Sequence, residues 1–115
     1  MTEIRIYLNQ PDSSGRRPIA GIRVEGHSNY DVSGRDIVCA GVSMLMHVLE
    51  AGVREQLEIP CLVRQDPAKC SWTIEWGKDD STECAFLYAD VVAGLLSMLA
   101  EQYPANVRIV KVDAI

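Results

Sequence analysis

Gly26-His27-Ser28-Asn29-Tyr30-Asp31-Val32-Ser33-Gly34-Arg35-Asp36-Ile37-Val38-Cys39-Ala40-Gly41-Val42-Ser43 is where this chain changes its period. Just before it, Ile22 and Val24 alternate with Arg23 and Glu25, the two-residue period of a strand with one buried face. Beyond it the pattern becomes helical from Ile37 to Val53, and up to Leu49 only Cys39, Ser43 and His47 interrupt apolar or glycine positions. Either Ser33 or Asp36 can cap the helix start, because a side-chain oxygen there accepts from the free N–H groups. Gly52 is the expected stop. A helix apolar almost all round is buried on more than one side, by a second helix or a second copy of the chain. Gly41 inside it costs about 1 kcal/mol relative to alanine, which points to close packing against another backbone.

Outward from this stretch the elements fall into hairpins. Ile4, Ile6 and Leu8 alternate with Arg5 and Tyr7, so residues 3–8 read as a strand antiparallel to the one at Ile22, with a turn cluster from Pro11 to Gly15 between them. Residues 60–65 and 70–76 flank Gln65-Asp66-Pro67-Ala68-Lys69 as a further hairpin. A second helix runs from about Glu83 to Gln102, with Cys84, Tyr88, Val91, Val92, Leu95 and Leu99 on one face and Pro104 as its stop. In the last strand the alternation of Val107, Ile109, Val110 and Val112 slips at Val110, which predicts a bulge or two-sided burial. The order β-β-α-β-β-α-β predicts one domain over residues 1–115 of the α+β class. Its expected form is a two-layer structure, a mostly antiparallel sheet with two helices on one face.

Composition narrows the partners. Hydrophobic residues at 48% and charged residues at 23% exclude disorder. A net charge of −5 speaks against a nucleic-acid surface, and the single Phe86 offers no stacking platform for single strands. There is no uninterrupted run of eighteen apolar residues, so no membrane segment is expected. Met1 leads directly into the first strand without an apolar leader, so a cytoplasmic protein is expected. Cys39, Cys61, Cys70 and Cys84 are then reduced thiols, and with no C-x-x-C pair they form no metal site. No cofactor is expected.

Free cysteine is among the most buried residue types, so Cys61 and Cys70 read as structural. Cys39 and Cys84 both fall in the first turn of a helix, where unpaired N–H groups and the helix dipole favour a thiolate. What separates them is histidine. His27 stands at a strand end, 12 positions before Cys39 (39 − 27), on a loop long enough to fold back, whereas residues 77–82 carry none. His47 lies eight residues beyond Cys39 (47 − 39) on the same helix, about 12 Å along the axis and out of reach. A Cys39–His27 pair is a nucleophile with its base. Asp31 or Asp36 can orient the imidazole, although Asp36 is expected to cap the helix in any case. Ser43, one turn after Cys39, shares its face and either donates into the site or bonds back to the Cys39 carbonyl. The N–H groups at the helix start are the expected oxyanion donors, and Gly26 and Gly34 the expected hinges of the loop.

Gly26-His27, then Gly34-x-Asp36-Ile37-Val38-Cys39-Ala40, then Ser43 resemble the signature of the Prp family of ribosomal-processing cysteine proteases. Length and element order fit as well, while Ser28 and Gly41 stand where that family often has alanine. The resemblance implies a bacterial cytoplasmic endopeptidase, active as a homodimer. Its implied substrate is the precursor of a large-subunit ribosomal protein, from which it removes a short N-terminal extension. By position Cys39 would be nucleophile and His27 base, with Gly26, Gly34, Asp36 and Ser43 supporting. Two other readings remain. One is a non-catalytic ribosome-associated or protein-binding module with a structural Cys39. The other is a thiol enzyme of another class, an acyl transferase or redox sensor.

Overall fold

Alternation in β1 (Thr2–Leu8) and β2 (Ile19–Glu25) sorts side chains to two faces, and the antiparallel register preserves the sorting. Ile4 lies opposite Val24 and Ile6 opposite Ile22 on the buried face; Glu3 meets Glu25 and Arg5 meets Arg23 on the other. Like charges directly opposite one another repel. The conflict is relieved along the strands, where Arg5 pairs with Glu3 and Arg23 with Glu25 at 2.8 Å. The computed structural model in which this is seen describes residues 1–32, 34–76 and 83–114, without the side chains of residues 83 and 84. The possible cap at Ser33 and the thiol of Cys84 therefore lie outside the described residues.

After α1 (Ile37–Glu50), β3 (Cys61–Asp66) and β4 (Ser71–Trp76) form the expected hairpin, closed by a 3-10 turn at Pro67–Lys69. Then α2 (Glu83–Gln102) leads to β5 (Val107–Asp113). The strand order is β3-β4-β2-β1-β5, antiparallel throughout except for the parallel β1–β5 pair. The two helices cover one face of this sheet, giving the predicted α+β architecture. Val38, Val42, Met46 and Leu49 of α1 and Val92 and Leu96 of α2 share one core with Ile4, Ile22 and Ile74. Ile37–Gln56 and Ala85–Gln102 have the length and mean hydropathy of membrane spans, 1.4 and 1.2, but each helix sinks one face into this core.

Four expectations change. Gly52 does not stop the first helix, which continues as a π-helical turn over Ala51–Gln56. The Tyr88 ring of α2 occupies the space a Cβ would need, with ring atoms 2.5 Å from that position. A Cβ at Gly41 would stand 3.4 Å from the Leu99 side chain, and what faces that position is this side chain, not another backbone. On α2 the buried face is Ala85, Ala89, Val92, Ala93 and Leu96, whereas Val91 is 63% and Leu95 41% exposed. The alanines are small enough to bring this helix close to its neighbours beside Val92 and Leu96, while Val91 and Leu95 turn outward. Finally, of the two readings offered at Val110 the bulge is not seen, since β5 pairs with β1 without a slip, whereas Ile109 and Val110 are half-buried on opposite faces. The irregularity lies instead between Tyr7 and Leu8.

Candidate active site

Asp36 builds the junction between loop and helix. Its Oδ1 accepts from the N–H groups of Val38 and Cys39, both at 3.0 Å, as an N-cap should. Its Oδ2 accepts from the N–H groups of Tyr30 at 2.9 Å and Asp31 at 3.4 Å, folding the loop back over the helix start. The backbone N–H of Cys39, and after it those of Asp31 and Tyr30, holds the Asp36 carboxyl below the usual carboxylate range. A lowered folded value means that the stabilisation is present above the ordinary carboxylate pKa and is lost as pH falls through the folded one. Asp36→Ala is therefore expected to lower the thermal midpoint by several degrees at neutral pH. The gap to the unaltered protein should close on acidification; calorimetry showing the same gap at pH 7 and in strong acid would exclude this role.

The same bonds bear on the expected oxyanion donors. With Val38 and Cys39 donating to the Asp36 carboxylate, and the Ala40 N–H to the Asp36 carbonyl at 3.1 Å, these three helix-start donors are already engaged. The free-standing donor at the sulfur comes from the loop. The Ser28 N–H points at Cys39 Sγ, 3.3 Å away.

Ser28 is buried and pinned. Its hydroxyl shares a 2.6 Å hydrogen bond with Thr2 Oγ1, and its carbonyl accepts from Asn106 Nδ2 at 2.9 Å. On the other side of His27, Gly26 donates its N–H to the Cys70 carbonyl at 3.1 Å and accepts from Thr2 Oγ1 at 3.2 Å. Gly26 takes φ +90°, and a Cβ there would stand 2.7 Å from the Met1 carbonyl oxygen, so only glycine fits. It is a wedge, where the sequence suggested a hinge. Gly34, at φ +85°, has nothing near its Cβ position. The Tyr30 ring rests edge-on against Tyr103, with centroids 5.1 Å apart, which ties the loop to the end of α2.

His27 is thus held between two fixed residues with its side chain exposed. Its Nε2 lies 3.0 Å from Cys70 Sγ. Among the described residues neither Asp31 nor Asp36 is hydrogen-bonded to it; Asp31 Oδ1 accepts from Val32 N–H at 2.7 Å. His27, Cys39 and Ser43 line two adjoining cavities of about 360 and 850 Å³. Val24, Val42, Pro67 and Trp72 give the smaller one apolar walls, and Asn29, Asp31 and Gly34 border the larger. His47 is exposed and sets its ring edge-to-face on Trp72, centroids 4.6 Å apart, away from the sulfur as its spacing required. Burial pushes the Cys61 thiol up, and it donates to the Ile59 carbonyl, a structural thiol as expected. Cys70, read from the sequence as structural too, is in the cavity wall. Sheet register was the signal that could have placed it: Glu25 pairs with Ser71, and the next step brings Gly26 to Cys70. Trp72 entered by the same pairing, opposite Val24.

A cleft that lets a chain pass a sulfur on both sides is what peptide cleavage by a thiol requires, and the class this points to is the cysteine peptidases. A family model described as cysteine protease Prp matches residues 1–108, and the chain belongs to that family. No curated protein matches it significantly. Among solved structures, the fold is similar to the essential ribosomal processing protease Prp from S. aureus with a covalently linked product peptide. The TM-score is 0.81 at 19% identity, covering 97% of this chain and 100% of that one. The same S. aureus protease with a substrate peptide gives 0.75 at 18% identity, over 97% and 100%. SMU.848 from Streptococcus mutans gives 0.80 at 20% identity, over 99% and 96%.

Proposed function

We propose that this cysteine protease removes a short N-terminal extension from a large-subunit ribosomal protein, with Cys39 as nucleophile and His27 as general base. The observation that carries the assignment is the position of Cys39 and His27 on the shared wall of two cavities, so that an extended peptide has a subsite on either side of the sulfur. The family and the ribosomal processing role of the S. aureus protease support the substrate class.

In the proposed reaction His27 takes the Cys39 thiol proton and the sulfur attacks the scissile carbonyl. The C–N bond then breaks as His27 returns the proton to the leaving amine. Water, deprotonated by the same imidazole, hydrolyses the thioester and frees the thiol. The Ser28 N–H beside Sγ is the donor positioned to meet the oxyanion. The net charge of −5 speeds the approach of a basic substrate without selecting its sequence. The test is incubation with the host's extended ribosomal precursor, reading the product N-terminus by mass spectrometry. One new, homogeneous N-terminus is expected; an intact precursor after prolonged incubation would refute the substrate assignment.

A homodimer belongs to this reading. Leu87, Val91, Leu95 and Met98 form an exposed stripe along α2, and Met44 and Val48 are exposed on the neighbouring α1. Surfaces of this kind are covered in stable assemblies. Sedimentation at micromolar concentration should give twice the 12.7 kDa chain mass; a monomer there would rule the dimer out.

A further inference from the structure

The imidazole assigned as base in the proposed reaction rests on a different sulfur. His27 Nε2 stands 3.0 Å from Cys70 Sγ, whereas Cys39 Sγ is met by a backbone N–H. Cys70 is not there by accident of a loose loop. It closes the β3–β4 turn with φ +49°, a conformation uncommon for a residue with a side chain. Its carbonyl is fastened to Gly26, the residue before His27, so backbone pairing delivers the thiol to the imidazole. Both sulfurs and the imidazole line the same 360 Å³ cavity.

We infer that Cys70 is a positioning residue of the protease: it holds His27 in the resting enzyme, leaving Cys39 without its base until a peptide entering the cavity frees the imidazole. The inference rests on the assignment of His27 and Cys39 above. Its chemistry is competition for one acceptor. A neutral imidazole has one lone-pair nitrogen; in the tautomer that carries it on Nε2, 3.0 Å from Cys70 Sγ, that nitrogen accepts from the Cys70 thiol and cannot take the Cys39 proton. The reactivity of Cys39 then scales with the fraction of enzyme in which His27 is released. A peptide that enters the cavity meets both partners of the Cys70–His27 contact, because both stand in its wall, and competes with Cys70 for the imidazole. The resting enzyme is in this way restrained from reacting with stray electrophiles.

The experiment measures site-resolved alkylation of Cys39 by iodoacetamide at neutral pH, without substrate, alongside precursor cleavage. The variants are Cys70→Ala, Cys70→Gly, His27→Ala and the His27→Ala/Cys70→Ala double variant. Cys70→Gly removes the thiol with a residue that suits the positive φ, so it guards against a folding defect in Cys70→Ala. Both Cys70 variants are expected to raise the Cys39 alkylation rate about threefold or more, and that gain should vanish in the double variant. No gain in either Cys70 variant overturns the inference, as does an equal gain without His27, which would mean that removing Cys70 merely opens the cleft. Loss of cleavage in His27→Ala with no gain from Cys70 removal refutes the role of Cys70 alone. Unimpaired cleavage by His27→Ala refutes the catalytic assignment beneath it.

Discussion

Cys39→Ala is expected to reduce precursor cleavage at least about a thousandfold, because a nucleophile lost from such a site takes nearly all of the covalent route with it. Binding should survive. The cavity walls at Val24, Val42, Pro67 and Trp72 do not depend on the sulfur, and α1 keeps its cap, since Asp36 bonds the backbone of Cys39. An alanine adds no bulk at a half-buried position, so the fold should hold. The check is a paired measurement of precursor affinity by titration calorimetry and of product by mass spectrometry. Tight binding without product is the expected result. Residual cleavage within about tenfold of the unaltered enzyme would move the nucleophile elsewhere, with Cys70, already beside an imidazole, the first to test.

His27→Ala should cost about a hundredfold to ten-thousandfold in turnover, the usual worth of a positioned general base. The loss should fall chiefly on kcat, because a general base acts in the transition state. Cys39 alkylation should slow as well, and more clearly once Cys70 is also removed. The neighbouring anchors distinguish a chemical effect from a collapsed loop. Gly26 and Ser28 hold the backbone on both sides through Thr2, Cys70 and Asn106, none of which needs the ring. Steady-state kinetics at several pH values would decide; turnover equal to that of the unaltered enzyme removes His27 from the mechanism.

What the sequence disclosed depended on whether the signal was local. The strand periods, the cap at Asp36 and the hairpin around Pro67 are written in neighbouring residues, and the structure keeps each of them. The return of the loop after His27 to the start of α1, where Ser28 N–H meets Cys39 Sγ, was legible for the same reason, since one loop connects them. Gly52 misled because a glycine past a helix and a glycine under an aromatic ring look alike in sequence; only the placement of Tyr88 tells them apart. The buried face of α2 misled because size outweighed hydropathy: Ala85 and Ala89 pack inward while Val91 faces out. Cys70 is the clearest case. Its company with His27 follows from the pairing of β2 with β4, between which lie the first helix and β3, and no spacing rule reaches that far.

The anchoring of Ser28 also bears on the order in which the chain acquires its parts. Its two side-chain and carbonyl partners are Thr2 and Asn106, and Thr2 N–H in turn bonds the Asn106 carbonyl at 2.8 Å. These three residues meet only when β5 docks beside β1, the closure of the longest loop in the fold. Contacts of such separation carry a larger loop-closure cost than those within hairpins and helices. A nascent chain whose last strand is still unmade can have its capped helix and its thiol but not the fastened backbone that presents the imidazole. The backbone beside His27 is thus fastened through β1 and β5 together, and undocking β5 is expected to release the imidazole from its fixed place.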